Sequence, residues 1–417
     1  MPQRPADTHR PASRRAAAAA AGLLAVGMLG TACTAQTDTH TAANRHQHQK
    51  QDAPTKSAAD RPAPVTSAAR VVRNVHDAGV HVDKVVKLTV VHGTFRSVTV
   101  QAGKKQFTGG LSADNTTWTA KQRLEPGTTY KVHAVAVDRR GLKTTKNSTF
   151  RTEDLTLDEQ TYPSFSPIAG DTVGIGMPVI VRFDRPVTDK AAIEKHLSVT
   201  SSSRQHGAWH WISDNEVHWR PVHYWKPGTD VTVAADINSV PAGNGIYGQL
   251  DRSETFHIGR SVVSKVNIAT HQLRTYIDGK LARTIPITTG KPGFTTRSGV
   301  KVIVEKFRHK RMDSETIGIS HNSANGYDLD DVEYAMRLTY SGEFLHAAPW
   351  SVGSQGYANV SHGCTGMSTA NAQWLYENSK VGDPVEFTGS DKPMTLTNGF
   401  GDWNESFTQY KQGSALS

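Results

Sequence analysis

Beyond residue 80 the chain is built from short runs in which apolar and polar side chains alternate. Val85-Val86-Lys87-Leu88-Thr89-Val90, Ser97-Val98-Thr99-Val100 and Tyr130-Lys131-Val132-His133-Ala134-Val135 repeat with a period close to two, the period of a strand with one face on a core. Gly109-Gly110, Asp114-Asn115 and Pro126-Gly127 separate them as turns, so residues 80–152 are predicted to form a β-sandwich. A second sandwich is predicted over residues 153–259, from Val179-Ile180-Val181-Arg182-Phe183, a hairpin from Trp209 to Trp219 turning at Asp214-Asn215, and Val231-Thr232-Val233. Trp209 and Trp211 share one face of that hairpin, which a sandwich core fills more readily than a glycan platform does.

Residues 260–388 continue in strands. Val262 to Ile268 is followed by Leu273 to Ile277 and Ala282 to Ile287 around an Asp278-Gly279 turn, and then by Val300 to Val304; Asp-Gly between alternating runs is a strong hairpin signal. Arg308 to Asp331 is polar and irregular, with Ser320-His321-Asn322-Ser323 and Asn325-Gly326-Tyr327, and reads as a long loop of the kind that forms lids. Its Asp328, Asp330 and Asp331 suit either a solvated acidic loop or recognition of a cationic group. One helix is clear, Thr369 to Tyr376, with Ser368 as its cap. The tail, 389–417, keeps Trp403, Phe407 and Tyr410 among polar residues and is expected to dock on the folded domains. The fold class is mainly β: two β-sandwich domains, then a β-rich domain with a long lid loop and a short helix.

The first 80 residues follow other rules. Arg4, Arg10, Arg14 and Arg15 precede an apolar run from Ala16 to Met28, the layout of a secretory signal over residues 1–33 and too short for a good membrane span. Gly30-Thr31-Ala32-Cys33 resembles a lipoprotein processing site, which leaves two readings open: a cleaved signal, or a lipid anchor on Cys33. Residues 34–79 carry few large apolar side chains, and are expected to be a disordered linker. His40, His46 and His48 within it have no ligand geometry around them, and solvated linker is the better reading.

Charge and cysteine usage narrow the function. The formal charge of the 417 residues is +9, which suits an anionic partner, but the basic residues are scattered and no nucleic-acid motif is present, so an anionic cell wall fits as well. Of two cysteines, Cys33 belongs to the export segment, and Cys364 is left without a partner in an exported protein. An unpaired thiol in an oxidising compartment calls for a reactive role.

The stretch from His346 to Met367 supplies the chemistry for one. Cys364 stands two residues after His362 and a short loop after His346. Cysteine catalysis needs a thiolate, an imidazole to take and return its proton, and N–H donors for the oxyanion. Against this stands the plain alternative that a lone Cys is a small buried hydrophobe and a lone His a structural residue. His362 shares a strand face with Cys364, so spacing alone leaves the base open between His362 and His346.

This segment resembles the active-site signature of the YkuD-type L,D-transpeptidases of peptidoglycan, in His346, Ser351, Gly353, Gly356 and Ser361-His362-Gly363-Cys364. Ile277-Asp278-Gly279-Lys280, Thr289-Gly290-Lys291 and Arg297-Ser298-Gly299 resemble the opening strands of that domain, and the region before it resembles the subgroup with two immunoglobulin-like domains. The resemblance implies Cys364 as nucleophile, His346 as base oriented by the Ala347 carbonyl, and backbone N–H groups of His362, Gly363 and Cys364 as the oxyanion hole. Tyr327, Trp350, Ser351, Ser361 and Gly366 are the implied substrate-binding positions, Gly366 standing where the family usually has Asn or Arg. The implied reaction is acyl transfer between donor and acceptor peptidoglycan stems, releasing D-Ala and forming a 3→3 cross-link, with no metal or organic cofactor and with carbapenem β-lactams as acylating ligands. Hydrolysis of the same thioester, as in a carboxypeptidase or endopeptidase, and a non-enzymatic wall-binding role are the alternatives.

Overall fold

A computed structural model describes residues 67–417; the signal, Cys33 and most of the linker lie outside them. The first sandwich starts earlier than the linker boundary at residue 79 implies. Arg70–Arg73 is a strand, paired antiparallel with Lys87–Val91 in the register Arg70↔Val91. Two valines between arginines are enough to extend a sheet edge, although flanking charges hide so short an alternation. That edge belongs to one four-stranded sheet, and Lys105–Phe107, Thr94–Ala102, Thr129–Val137 and Lys143–Arg151 form the facing one. Leu88, Val100, Trp118, Tyr130 and Phe150 fill the space between.

The second sandwich pairs a sheet of Pro163–Ser166, Val179–Phe183, Glu216–Pro221 and Gly207–Trp211 with one of Thr172–Val173, Arg252–Ile258, Asp230–Ala235 and Leu197–Ser201. Trp209 lies opposite Trp219, and both are buried. Trp211 is half-buried, stacks 5.8 Å from Phe183, and donates its Nε1–H to Glu194. The tryptophan hairpin is therefore core.

Residues 262–388 form two sheets packed around a short helix. Lys280–Pro286, Gln272–Ile277, Val262–Asn267, Pro384–Thr388 and Gly299–Val302 make the first. Its tight hairpin turns at Asp278 and Gly279 with φ of 49° and 78°, the left-handed pair such a turn demands. Glu305–Asp313, Asp328–Arg337, Phe344–Ala347 and Thr365–Met367 make the second, and the helix Thr369–Asn378, capped by Ser368, packs on it.

The lid corrects the sequence reading. Arg308–Asp331 is not irregular throughout: Arg308–Asp313 and Asp328–Asp331 belong to the two arms of a β-hairpin, and Ser314–Tyr327 forms its tip outside the strands. Strand character is masked because both arms carry charge on exposed faces. Arg308–Glu333, His309–Asp331 and Arg311–Asp328 pair across the ladder at 2.9, 2.7 and 2.6 Å. Asp328 is thus held in the hairpin's own ion pair with Arg311 and Asp331 in a hydrogen bond with His309, and Asp330 is almost fully exposed.

The C-terminal segment binds the second sandwich to the third domain. Trp403 donates its Nε1–H to the Gly176 carbonyl at 2.7 Å, Asn404 exchanges hydrogen bonds with both backbone groups of Val300, and the Arg220 guanidinium lies 4.4 Å from the centre of the Tyr410 ring. One apolar cluster runs from the second sandwich through Val302 to Phe400.

Candidate active site

His346 and Cys364 reach one another's neighbourhood through a parallel strand pair. Leu345 lies opposite Thr365 and His346 opposite Gly366, so Cys364, one residue before Thr365, enters at the same end of the ladder as the His346 strand. Both line a cavity of about 350 Å³ that Tyr327, Trp350 and His362 also wall. A second cavity, of about 160 Å³ beneath the lid hairpin, meets the first at Cys364 and Tyr327.

The imidazole of His346 is oriented from behind. Its Nδ1 lies 2.7 Å from the Ala347 carbonyl, and since a carbonyl only accepts, Nδ1 carries the proton and Nε2 is the basic nitrogen. Burial holds this ring below the ordinary histidine range, against the smaller raising effect of the Ala347 carbonyl. Cys364 is half-buried by surface area, but its sulfur is enclosed enough that burial pushes the thiol up to about 11. The resting site therefore holds a neutral thiol and a neutral imidazole. The thiol is turned toward the Gly342 carbonyl, 3.4 Å away.

The Cys364 loop is stapled by its own side chains. Ser361 Oγ donates to the Cys364 carbonyl at 2.6 Å and accepts from the Gly363 N–H at 3.1 Å. Gly363 has φ of 121°, where an L side chain is strained, and its carbonyl accepts from Thr296 Oγ1 at 2.8 Å. Two expectations change as a result. The Gly363 N–H is already engaged by Ser361 Oγ and is not free for an oxyanion. The Ser361 hydroxyl shapes the loop and is not free for substrate. Ser351 is likewise committed: its hydroxyl donates to the Ala348 carbonyl at 3.1 Å and accepts from Gln355 Nε2 at 3.3 Å.

The remaining positions divide between wall and floor. Trp350 is 58% exposed, with its ring 5.9 Å from that of His346 and nearly parallel to it. Tyr327 leans on His362 at 5.2 Å, and burial, then Cys364 and Asp313, push its phenol up to about 12; it is a neutral donor. His362 is wedged between Tyr327 and Phe294, and its Nε2 is buried without a hydrogen-bond partner among the described residues. Burial and then Lys291 hold it below the ordinary range. Gly366 is a floor residue paired with Thr288 on both backbone groups, and a Cβ there would stand 2.8 Å from Ala348 Cβ and 3.2 Å from Thr288 Cγ2. No side chain fits without movement, which explains a glycine at this position.

Sequence reading did not find Met312 and Leu329, which pair across the hairpin and line the larger cavity. It also did not find a buried charged group under the loop, Lys301 and Glu343 with Arg297. The only sequence signal for the latter is a lysine in an otherwise apolar strand, Gly299–Val302. Asp313, His321 and Asp328 bring three possible metal-ligating atoms within 4.8 Å of one another, but His321 and Arg311 already pair with the two carboxylates.

A family model described as a bacterial Ig domain matches residues 77–241, and one described as the L,D-transpeptidase catalytic domain, YkuD, matches residues 261–387. The chain is 36% identical over 369 residues to L,D-transpeptidase 2 of Mycobacterium tuberculosis (strain CDC 1551 / Oshkosh), spanning 87% of this chain and 90% of that protein. With L,D-transpeptidase 5 of the same species (strain ATCC 25618 / H37Rv) it shares 34% identity over 373 residues, 87% of this chain and 80% of that one. A solved structure of an L,D-transpeptidase in complex with imipenem is 39% identical, covers 54% of this chain and 97% of its own, and has a TM-score of 0.49. This chain belongs to the L,D-transpeptidases, with immunoglobulin-like sandwiches ahead of a YkuD catalytic domain.

Proposed function

We propose that this acyltransferase forms 3→3 peptidoglycan cross-links through a thioester on Cys364, with His346 as its base. The observation that carries the reading is the bond from His346 Nδ1 to the Ala347 carbonyl, which reserves Nε2 for the cavity that the sulfur also lines. A neutral thiol beside a neutral imidazole suits general-base attack, in which the proton leaves sulfur as the carbon–sulfur bond forms.

In the first half-reaction the thiol gives its proton to His346 Nε2 while sulfur attacks the carbonyl of the third stem residue. The tetrahedral oxyanion is met by the N–H groups of His362 and Cys364, with the Tyr327 hydroxyl as a further donor. Imidazolium returns the proton to the departing amine of D-Ala. In the second half an acceptor amine attacks the thioester, loses its proton to His346, and sulfur leaves, taking the proton back. Trp350 walls the stem on the solvent side.

The signal-like Arg4–Met28 segment supports an extracytoplasmic location, with the linker giving reach from the membrane and Cys33 as the anchoring thiol in a lipoprotein form. No helix among the described residues is long and apolar enough to cross a membrane. The imipenem complex of a related L,D-transpeptidase supports carbapenem binding here, as acylation of Cys364. The test is intact-mass analysis with imipenem, alongside mass spectrometry of muropeptides made from tetrapeptide stems. The wild type should gain one adduct and yield 3→3 dimers, and Cys364→Ala should do neither; cross-links made by the alanine variant would sink the assignment.

A further inference from the structure

A charged cluster under the Cys364 loop takes no part in the steps above. Lys301 is 0% exposed, and its ammonium bonds to Glu343, which is 5% exposed and accepts a second bond from the Arg297 guanidinium at 2.8 Å. The same ammonium lies 3.6 Å from the centre of the Phe387 ring. Drawing two cations and a carboxylate out of water is costly, and apolar side chains of equal volume would commonly be as stable or more so. Packing alone does not account for the cluster.

Its contacts lead to the nucleophile loop from two sides. Glu343 directly follows Gly342, the carbonyl that accepts the Cys364 thiol at 3.4 Å, and Glu343 Cγ would lie 3.8 Å from a Cβ built on Gly363. Arg297 directly follows Thr296, whose hydroxyl donates to the Gly363 carbonyl at 2.8 Å. The groups around the sulfur are therefore His346, His362 and Tyr327 at the cavity, and Lys301 and Glu343 below, where the ammonium favours the thiolate and the carboxylate, itself held by Arg297, opposes it.

We propose that Lys301 and Glu343 are positioning residues for the reaction of Cys364: Glu343 clamps the Lys301 ammonium under the loop, fixing the Gly342 carbonyl and presenting positive charge to the sulfur as it becomes anionic. This rests on Cys364 being the nucleophile. Burial draws Lys301 down to about 8, and Glu343 is what holds it up. Without that carboxylate the buried amine sheds its proton more readily, and the sulfur loses both the cation and the carboxylate that opposes its ionisation.

The cluster thus makes an asymmetric forecast: losing the ammonium alone leaves a carboxylate opposing ionisation of the thiol, while losing the carboxylate removes both charges. The experiment measures alkylation of Cys364 by iodoacetamide against pH, read at the Cys364 peptide by mass spectrometry, in the full chain and in Lys301→Met, Lys301→Arg and Glu343→Gln. Lys301→Met leaves the Glu343 carboxylate facing the thiol and should move the alkylation midpoint up by about one pH unit and slow alkylation about tenfold near neutral pH, whereas Glu343→Gln removes both charges and should move it clearly less. Lys301→Arg keeps the charge and should stay within about threefold of wild type. An unmoved midpoint in Lys301→Met, or an upward shift in Glu343→Gln as large as that of Lys301→Met, overturns the proposal. Should Glu343→Gln fail to fold by circular dichroism, the Met and Arg variants at position 301 decide it. A wild type that imipenem does not acylate at Cys364 would sink the nucleophile assignment first, whereas normal acylation with unmoved variants sinks this inference alone.

Discussion

His218 and Asp402 are 184 residues apart in the chain, and their side chains meet at 2.9 Å with neither exposed by more than 2%. The pair locks the C-terminal segment onto the second sandwich, with Glu216 on the other imidazole nitrogen at 2.8 Å and the Tyr410 hydroxyl donating to the same carboxylate. Burial by itself would push His218 down, but Asp402 and then Glu216 overcome it and raise the imidazole to about 9. The folded value lies above the unfolded one, so the stabilisation is complete below about pH 6.5 and is lost as pH rises through about 9. Its full size is about 3 kcal/mol. Urea unfolding between these limits should show that decline, and Asp402→Asn, at a cost of about 3 kcal/mol for breaking a buried pair, should flatten it.

Asp383 gives a separate titration at lower pH. Burial raises its carboxyl to about 7 against the backbone N–H of Lys380. A carboxyl raised on folding contributes stability below its unfolded value near 4 that disappears as pH rises through about 7. Asp383→Asn should remove this slope and leave the His218 slope intact, as measured by the same unfolding series.

The two active-site histidines should separate kinetically. His346→Ala removes the only ring held by the Ala347 carbonyl, and acylation by imipenem should fall about 10²–10⁴-fold. His362→Ala opens the space between Phe294 and Tyr327 and should cost about tenfold or less. Because burial holds His346 below its ordinary 6.5, the acid limb of the wild-type pH–rate profile should lie under that value, the base being active when neutral. Stopped-flow acylation against pH checks both, and a reversed ranking would exchange the roles.

Ser361→Ala should act on the loop without touching substrate. It leaves the Gly363 N–H without its acceptor, worth about 1–3 kcal/mol of stability, and lets the Cys364 carbonyl turn. Acylation should slow while the thermal midpoint falls by only a few degrees, which calorimetry and single-turnover mass spectrometry resolve.

Gly366 offers a test of packing. Gly366→Asn places a side chain 2.8 Å from Ala348 Cβ and should cost about 1–3 kcal/mol by overpacking. Adding Ala348→Gly should recover part of that loss, a coupling between touching residues that a double-mutant cycle in urea measures directly.

Period-two alternation was enough to place the strands around Val179–Phe183, the Asp278-Gly279 hairpin, the tryptophan hairpin and the helix behind Ser368, because burying one face of a regular element writes its period into the chain. The Ser361-His362-Gly363-Cys364 block and His346 stood out for a different reason: they resemble the YkuD signature, while spacing alone left the base open between His362 and His346. Local pattern could not reveal the charged arms of the lid hairpin, whose cross-strand pairs such as Arg311 with Asp328 join residues 17 apart. Nor could it show that Ser361 and the Gly363 N–H satisfy each other, that Gly366 is hemmed in by Ala348 and Thr288, or that Lys301, Glu343 and Arg297 gather under the sulfur. Each of these depends on distances between segments remote in the chain, and only folding sets such distances.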